Sequence, residues 1–229
     1  MTEELEQLSN ELYTNLTPKQ WAAVGFLSLK PLASWIGDCN DRINFLNDWI
    51  KDGTPIKFWF SGFFFPQAFL TGTLQNYARR NKIPIDRIAY NYIMRDDITH
   101  EDIKEAPSGG CYIYGLFLEG CKWDHEKHML AESDPKKLFI ELPLIHLAPV
   151  MDRVKPTEGI YKCPMYRVLS RTGTLSTTGH STNFVIMLEV PMPKTEGVSD
   201  DEEHDKWMLA GVACFLALRF WVDFPVLNN

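Results

Sequence analysis

The sequence lacks a basic stripe. Its 23 lysines and arginines are outnumbered by 30 aspartates and glutamates, giving a net charge of −7, and basic pairs occur only at Arg79-Arg80 and Lys136-Lys137. A nucleic-acid surface needs clustered cations to displace counterions from phosphates, so the composition argues against that class. Cysteine is scarce: five residues, Cys39, Cys111, Cys121, Cys163 and Cys214, scattered and odd in number. The first residues, Met-Thr-Glu-Glu-Leu-Glu, lack the basic start and apolar core of a signal peptide. Together these predict free thiols in a reducing, cytosolic compartment. No apolar run reaches the ~20 residues of a membrane-spanning helix. The longest, Trp207 to Leu218, is shorter and is followed by Arg219. No repeat of fixed period occurs.

Catalytic signatures are also missing. Gly173-Thr-Leu-Ser-Thr-Thr-Gly179-His180-Ser181 has five residues between its glycines and a histidine where a phosphate loop needs lysine, so it reads as a polar turn. Cys121, His125 and His128, with Asp124 beside them, have the donor chemistry of a metal site. They form only one cluster, where structural zinc normally takes four ligands in two close pairs. Ser108 or Cys163 could serve as a nucleophile with His146 or His180 as base, but no Gly-x-Ser-x-Gly elbow or orienting third group accompanies them. Glu119, Asp124, Glu132 and Glu141 give no defined carboxylate pair. Tyr112, Tyr114 and Phe117 read as core rather than as a stacking platform. No catalytic residue, cofactor site or metal site is expected.

What is abundant is aromatic residues, at 13%, and they concentrate in Phe58-Trp-Phe-Ser-Gly-Phe-Phe-Phe-Pro-Gln-Ala-Phe69. This stretch reads as a short buried strand from Lys57 to Phe60, a turn at Ser61-Gly62, and a helix opened by Pro66 and running to about Asn81. On that helix Leu70, Leu74 and Tyr77 share a face, while Arg79 and Arg80 point to water. Phe63, Phe64, Phe65 and Pro66 are the expected structural junction between two parts of the polypeptide.

Before the junction the pattern is helical. Leu5, Leu8 and Leu12 mark one face of a first helix. Thr17-Pro18-Lys19-Gln20 is a helix start, with Trp21 and Val24 expected on its buried side. Trp35/Ile36, Cys39, Ile43, Leu46 and Trp49/Ile50 keep helical period over five turns until Asp52-Gly53. After Ile83-Pro84 the texture becomes strand-like: Ile85–Met94, Cys111–Leu118, Leu138–Leu142, Leu144–Val150, Tyr161–Leu169 and Phe184–Val190. A flexible acidic loop is expected over 191–204, and Trp207–Leu218 fits either a helix or a strand buried on both faces. The sum is an α+β fold with helices first and then an antiparallel sheet or barrel.

Five strings carry a family resemblance: Ser61-Gly-Phe-Phe-Phe-Pro-Gln-Ala-Phe-Leu-Thr-Gly-Thr-Leu-Gln-Asn-Tyr-Ala-Arg79, Ile83-Pro-Ile-Asp86, Gly110-Cys-Tyr-Ile-Tyr-Gly-Leu-Phe-Leu-Glu-Gly120, Tyr161-Lys-Cys-Pro-Met-Tyr166 and Gly173-Thr-Leu-Ser-Thr-Thr-Gly-His-Ser-Thr-Asn-Phe-Val-Ile186. In this order, from about Trp21 to Leu218, the sequence resembles the C-terminal domain of the axonemal dynein heavy chains. The resemblance implies N-terminal helices (residues 1–82, a helical subdomain) packed on an incomplete antiparallel β-barrel of about six strands (residues 83–229). It implies a domain that is not itself an enzyme and holds no cofactor. Its parent heavy chain is a microtubule-motor ATPase through AAA+ modules, in the cytoplasm and cytoskeleton of a cilium or flagellum.

The implied task is to brace the AAA+ ring and modulate motor output. Arg79 and Arg80 are then candidate ring contacts, and an apolar strip on the helical half is expected where the ring covers it. Implied partners are the ring modules of the same polypeptide and other dynein subunits. Microtubules would be met only through the rest of the motor, and neither nucleic acid nor membrane is implied. The alternative is a docking platform for axonemal or light-chain partners through the barrel loops and the tail. That tail, residues 219–229, and the acidity of 194–205 depart from the family pattern.

Overall fold

The computed structural model describes residues 2–98, 102–156, 158–171 and 183–216. The glycine-rich turn with His180, and the tail 219–229, lie outside the described residues. Helices α1 (Thr2–Tyr13), α2 (Lys19–Val24) and α3 (Leu32–Asp52) come first, then strand β1 (Lys57–Trp59), a 3-10 turn at Phe60–Gly62 and helix α4 (Pro66–Asn81). The strands that follow are β2 (Ile88–Arg95), β3 (Cys111–Tyr114), β4 (Phe117–Glu119), β5 (Cys121–Asp124), β6 (Met129–Glu132), β7 (Phe139–Glu141), β8 (Leu144–Met151), β9 (Ile160–Tyr166) and β10 (Phe184–Pro191). Helix α5 (Asp200–Leu209) and strand β11 (Ala213–Phe215) complete the described elements. None of these helices is long and apolar enough to cross a membrane.

The α+β class holds, but the barrel is not seen. Among the described residues the strands form a four-stranded sheet of order β1-β3-β8-β2, a five-stranded sheet of order β10-β9-β11-β4-β7, and the ribbon β5-β6. Neither large sheet closes on itself. Both are mixed: β1 runs parallel to β3, and β11 parallel to β9, while the other pairings are antiparallel. The strands among the described residues number eleven rather than about six. One reason is Gly115, which breaks the expected continuous strand Cys111–Leu118. Its φ of +81° turns the backbone between β3 and β4, sending the two into different sheets.

One hydrophobic core joins both sheets, with Phe60, Ile113, Leu118, Ile145, Leu147, Cys163, Met165 and Leu188 among its buried members. Fully burying an aliphatic or aromatic side chain of this kind contributes about 1.5–3 kcal/mol. A smaller cluster gathers Phe117, Ala213 and Phe215 against Phe139, Tyr166 and Leu169.

Helix α3 has the boundaries its pattern predicts, ending at Gly53 with φ +89°. Its buried residues, however, are Asp38 and Arg42, while Ile36, Ile43 and Ile50 are 42%, 45% and 82% exposed. The expected inward faces of α1 and α2 also remain open. Leu5, Leu12, Trp21 and Val24 are exposed, because none of the other described elements packs fully over them. Helix α2 is capped by Pro18 without a side-chain bond, and the Thr17 hydroxyl lies 3.5 Å from the Lys30 carbonyl instead.

The acidic segment is not all loop. Ser199 accepts from the Glu202 backbone N–H at 3.3 Å, and Glu202 accepts from the Ser199 N–H at 3.1 Å, a capping box that starts α5. The ambiguous Trp207 to Leu218 run is thus divided: Trp207 ends up buried on α5, and Ala213–Phe215 form the fully buried β11.

Candidate functional site

The aromatic stretch links the helical layer to the first sheet. Phe58, Trp59 and Phe60 are buried, and Phe63 stacks on Phe69 with ring centroids 4.2 Å apart. Edge contacts run on to α3, with Phe45 5.5 Å from Phe63 and Trp49 5.1 Å from Phe58. Offset and edge-to-face geometries such as these add to burial itself.

Trp59 fits between two glycines. A Cβ at Gly62 would fall 2.4 Å from its ring, and one at Gly115 would fall 2.7 Å from it, so neither position tolerates a side chain. Of the expected junction residues, Pro66 is buried at the start of α4, and Phe63 and Phe64 are half-buried. Phe65 is 72% exposed and does not pack into the junction.

Arg79 and Arg80 are exposed in the last turn of α4, which closes on Lys82 in the left-handed region at φ +56°. Arg80 also stands at the rim of a cleft of about 710 Å³. Trp49, Phe58 and Phe69 are among its lining residues, as are Ser108 and Gly109 of the loop before β3 and His146 of β8. The structure therefore does bring Ser108 and His146 to one cleft. The Nε2 of His146 lies 2.8 Å from the Gly109 carbonyl oxygen. A carbonyl only accepts, so Nε2 carries the proton and cannot take one from a serine through that atom.

Cys163 is elsewhere, buried in the core with its thiol pushed well above its usual value by burial. His180 is outside the described residues. No nucleophile–base–orienter set is assembled from the sequence candidates that are described.

The metal-ligand candidates separate. Cys121 is in the core with its thiol pushed up by burial to about 12. Asp124 accepts from the backbone N–H groups of Glu126 and Lys127 at 2.9 and 3.1 Å, shaping the turn between β5 and β6. His128 Nδ1 lies 2.8 Å from Asp96 Oδ2, which also accepts from the Trp123 indole at 2.7 Å. Among the described residues no three His, Cys, Asp or Glu side chains come close enough to share an ion. Glu119 pairs with Arg171, and Glu132 lies 3.5 Å from Lys206. Tyr112 and Tyr114 are half-buried and Phe117 buried, so the run is mostly packing.

Sequence reasoning missed a buried ionic cluster. Asp38 sits between Lys30 Nζ at 3.2 Å and the Arg42 guanidinium, which donates through Nε and Nη2, both at 3.2 Å. Arg42 Nη1 also donates to the Phe63 carbonyl at 3.1 Å, and the Phe26 ring lies 4.5 Å from the guanidinium carbon. The signal was present as an opposite-charge pair at i, i+4, a spacing usually found on solvated faces.

The family model for the C-terminal domain of dynein heavy chains matches residues 1–216. The protein belongs to this family. It is 50% identical over 220 residues to rat dynein axonemal heavy chain 1, covering 96% of this sequence and 5% of that protein. Human dynein axonemal heavy chain 12 is 44% identical over 218 residues, covering 95% of this sequence and 7% of the relative. Human dynein axonemal heavy chain 3 is 41% identical over 220 residues, at 95% and 5%. The 229 residues thus span a small fraction of the length of the heavy chains they match.

Proposed function

We propose that this protein is the non-catalytic C-terminal domain of an axonemal dynein heavy chain, where it braces the AAA+ ring and modulates ATP-driven movement on microtubules in a cilium or flagellum. The observation that carries this is the open apolar surface of the helical half. Ile50 is 82% exposed, Val24 88%, and Ile36 and Ile43 show on the same helix as Ile50. The three isoleucines recur every seventh residue, the spacing of one helix face meeting another. Apolar groups grouped in this way mark an interaction surface, and family membership supplies a neighbour in the rest of the heavy chain. Arg79 and Arg80, exposed at the end of α4, are the proposed polar ring contacts. Phe63, Phe64 and Pro66 lock the helical subdomain (1–82) to the strand-rich subdomain (83–229).

Crosslinking mass spectrometry on a full-length heavy chain tests this. The expected result is crosslinks from α1–α3 and from the end of α4 to ring modules. The double reversal R79E/R80E should deplete those near α4 and alter microtubule-stimulated ATPase rate. Crosslinks confined to separate subunits would overturn the bracing role in favour of a docking platform, and ATPase activity from the 229 residues alone would overturn the non-catalytic role.

A further inference from the structure

Among the described residues where α3, the 3-10 turn and the end of β9 meet, the cations Lys30, Arg42 and Arg167 outnumber the carboxylates, Asp38 in direct contact and Asp41 acting on Lys30 from further off. Arg42 is 5% exposed and spends three of its five N–H groups on Asp38 and the Phe63 carbonyl. Asp38 gives its other oxygen to Lys30, so one carboxylate already serves two cations. A third cation, Arg167, borders the same cavity as Arg42. Arg167, just beyond β9, donates through Nη2 to Gln67 Oε1 at 2.6 Å, and its Nε is buried without an acceptor among the described residues. Gln67 in turn donates to the Phe184 carbonyl at 2.9 Å, so its amide is held in place and brings Arg167 no negative charge.

Both guanidinium groups border one small cavity of about 20 Å³, together with Ser61, Phe26, Phe63 and Phe64. Ser61 has its hydroxyl proton committed to the Gly115 carbonyl. Among the described residues lining this cavity none is an Asp or Glu. Burial, and then the charge of Arg42, weakens the hold of Arg167 on its proton. Two like charges bordering one small, partly open cavity, with a buried donor unsatisfied, are unfavourable unless something negative lies between them. The volume decides the size of that something. About 10–15 Å³ admits one water-sized particle, so the space inside this cavity suits a single small sphere rather than phosphate or sulfate. Water would satisfy the orphan N–H but leave the charge excess untouched.

We propose that the cavity between Arg42 and Arg167 binds one monatomic anion of chloride size, held by Arg167 Nε–H and the remaining N–H groups of Arg42. The ion fastens α3, the turn after β1 and the strand-rich half to one another at the aromatic junction. It is an ionic tie with no covalent counterpart.

Two measurements on the 229-residue protein test this. Crystals soaked in sodium bromide should give an anomalous peak in the cavity, within hydrogen-bond distance of Arg167 Nε. Thermal midpoints should rise as chloride replaces gluconate at constant ionic strength, since a ligand bound only by the native state stabilises it by mass action. In R167Q that rise should flatten. A cavity without anomalous signal would overturn the proposal, as would an equal chloride response in wild type and R167Q. If R167Q does not fold, the bromide map and the wild-type halide response still decide it.

Discussion

Replacing Asp38 by asparagine exposes how the helical layer is held. The carboxylate is 2% exposed and faces Lys30 and Arg42, which are 3% and 5% exposed. An amide keeps the shape and loses the charge. Removing one partner of a buried ion pair costs about 3–5 kcal/mol, mostly from the charge left behind. The two cations escape differently. Burial already lowers the proton affinity of Lys30, so without Asp38 it can release its proton, whereas Arg42 cannot. Most of the penalty therefore falls on Arg42.

The pH dependence follows from Lys30. In the variant the folded state binds the Lys30 proton less tightly than the unfolded polypeptide, whose value is the ordinary 10.5. The unfolded state then carries more protons, and the stability of D38N recovers as pH rises towards that value.

Urea unfolding followed by circular dichroism and tryptophan fluorescence reads the effect, with coincident curves as the check on two-state behaviour. With a slope of about 2–3 kcal/mol per molar urea, the midpoint should fall by about 1–2.5 M. The triple change K30M/D38L/R42M should recover most of the loss, because packed apolar residues of similar volume often replace a buried ionic group without cost. A D38N loss below about 1 kcal/mol would mean that the trio behaves as a solvated surface pair. A triple variant as weak as D38N would mean that charge was not the cause.

The junction phenylalanines should separate by burial. Phe63→Ala removes the ring stacked on Phe69 and should cost about 2–4 kcal/mol, somewhat below a fully buried phenylalanine. Phe65→Ala, at a position 72% exposed, should stay within about 0.5 kcal/mol. Equal losses in thermal melts would contradict the placement of the two rings. For the thiols, Cys39 is half-buried while Cys111, Cys121, Cys163 and Cys214 are buried with raised pKa. A disulfide-exchange reagent should label Cys39 in the native protein and the other four only after denaturation. Rapid native labelling of more than one thiol would show the core to be open.

Local grammar was readable where chemistry is local. Asp52-Gly53 marked the end of α3 and Pro66 the start of α4, because stop and start signals act within a turn of backbone. The buried face of α3 was not readable. Periodicity assigns isoleucines inward, and only the third dimension places Lys30 and Arg42 around Asp38. The capping box at Ser199 and Glu202 was in plain view but sat in a run of acids that resembles solvated loop.

Likewise, the meeting of Ser108 with His146 was a sequence candidate. Whether His146 was available as a base depended on a carbonyl at Gly109, which no side-chain pattern reveals. Arg167 left no trace at all, since its significance comes from Arg42, far away in the sequence.

The five-stranded sheet has a consequence in time as well as space. Its central strand, β11, lies between β9 and β4 yet is the last of the described strands. As the polypeptide emerges from a ribosome, β4 with β7 and β9 with β10 can pair early, each as a separate unit whose inner edge, the one β11 later fills, is still unoccupied. They become a single sheet only when Ala213–Phe215 slides between them, all three residues then leaving water together. Synthesis thus passes through a long interval with two unfinished edges, during which the growing polypeptide is open to wrong strand partners. Closing that gap falls to three residues made after all the strands they join, and β11 acts as the keystone.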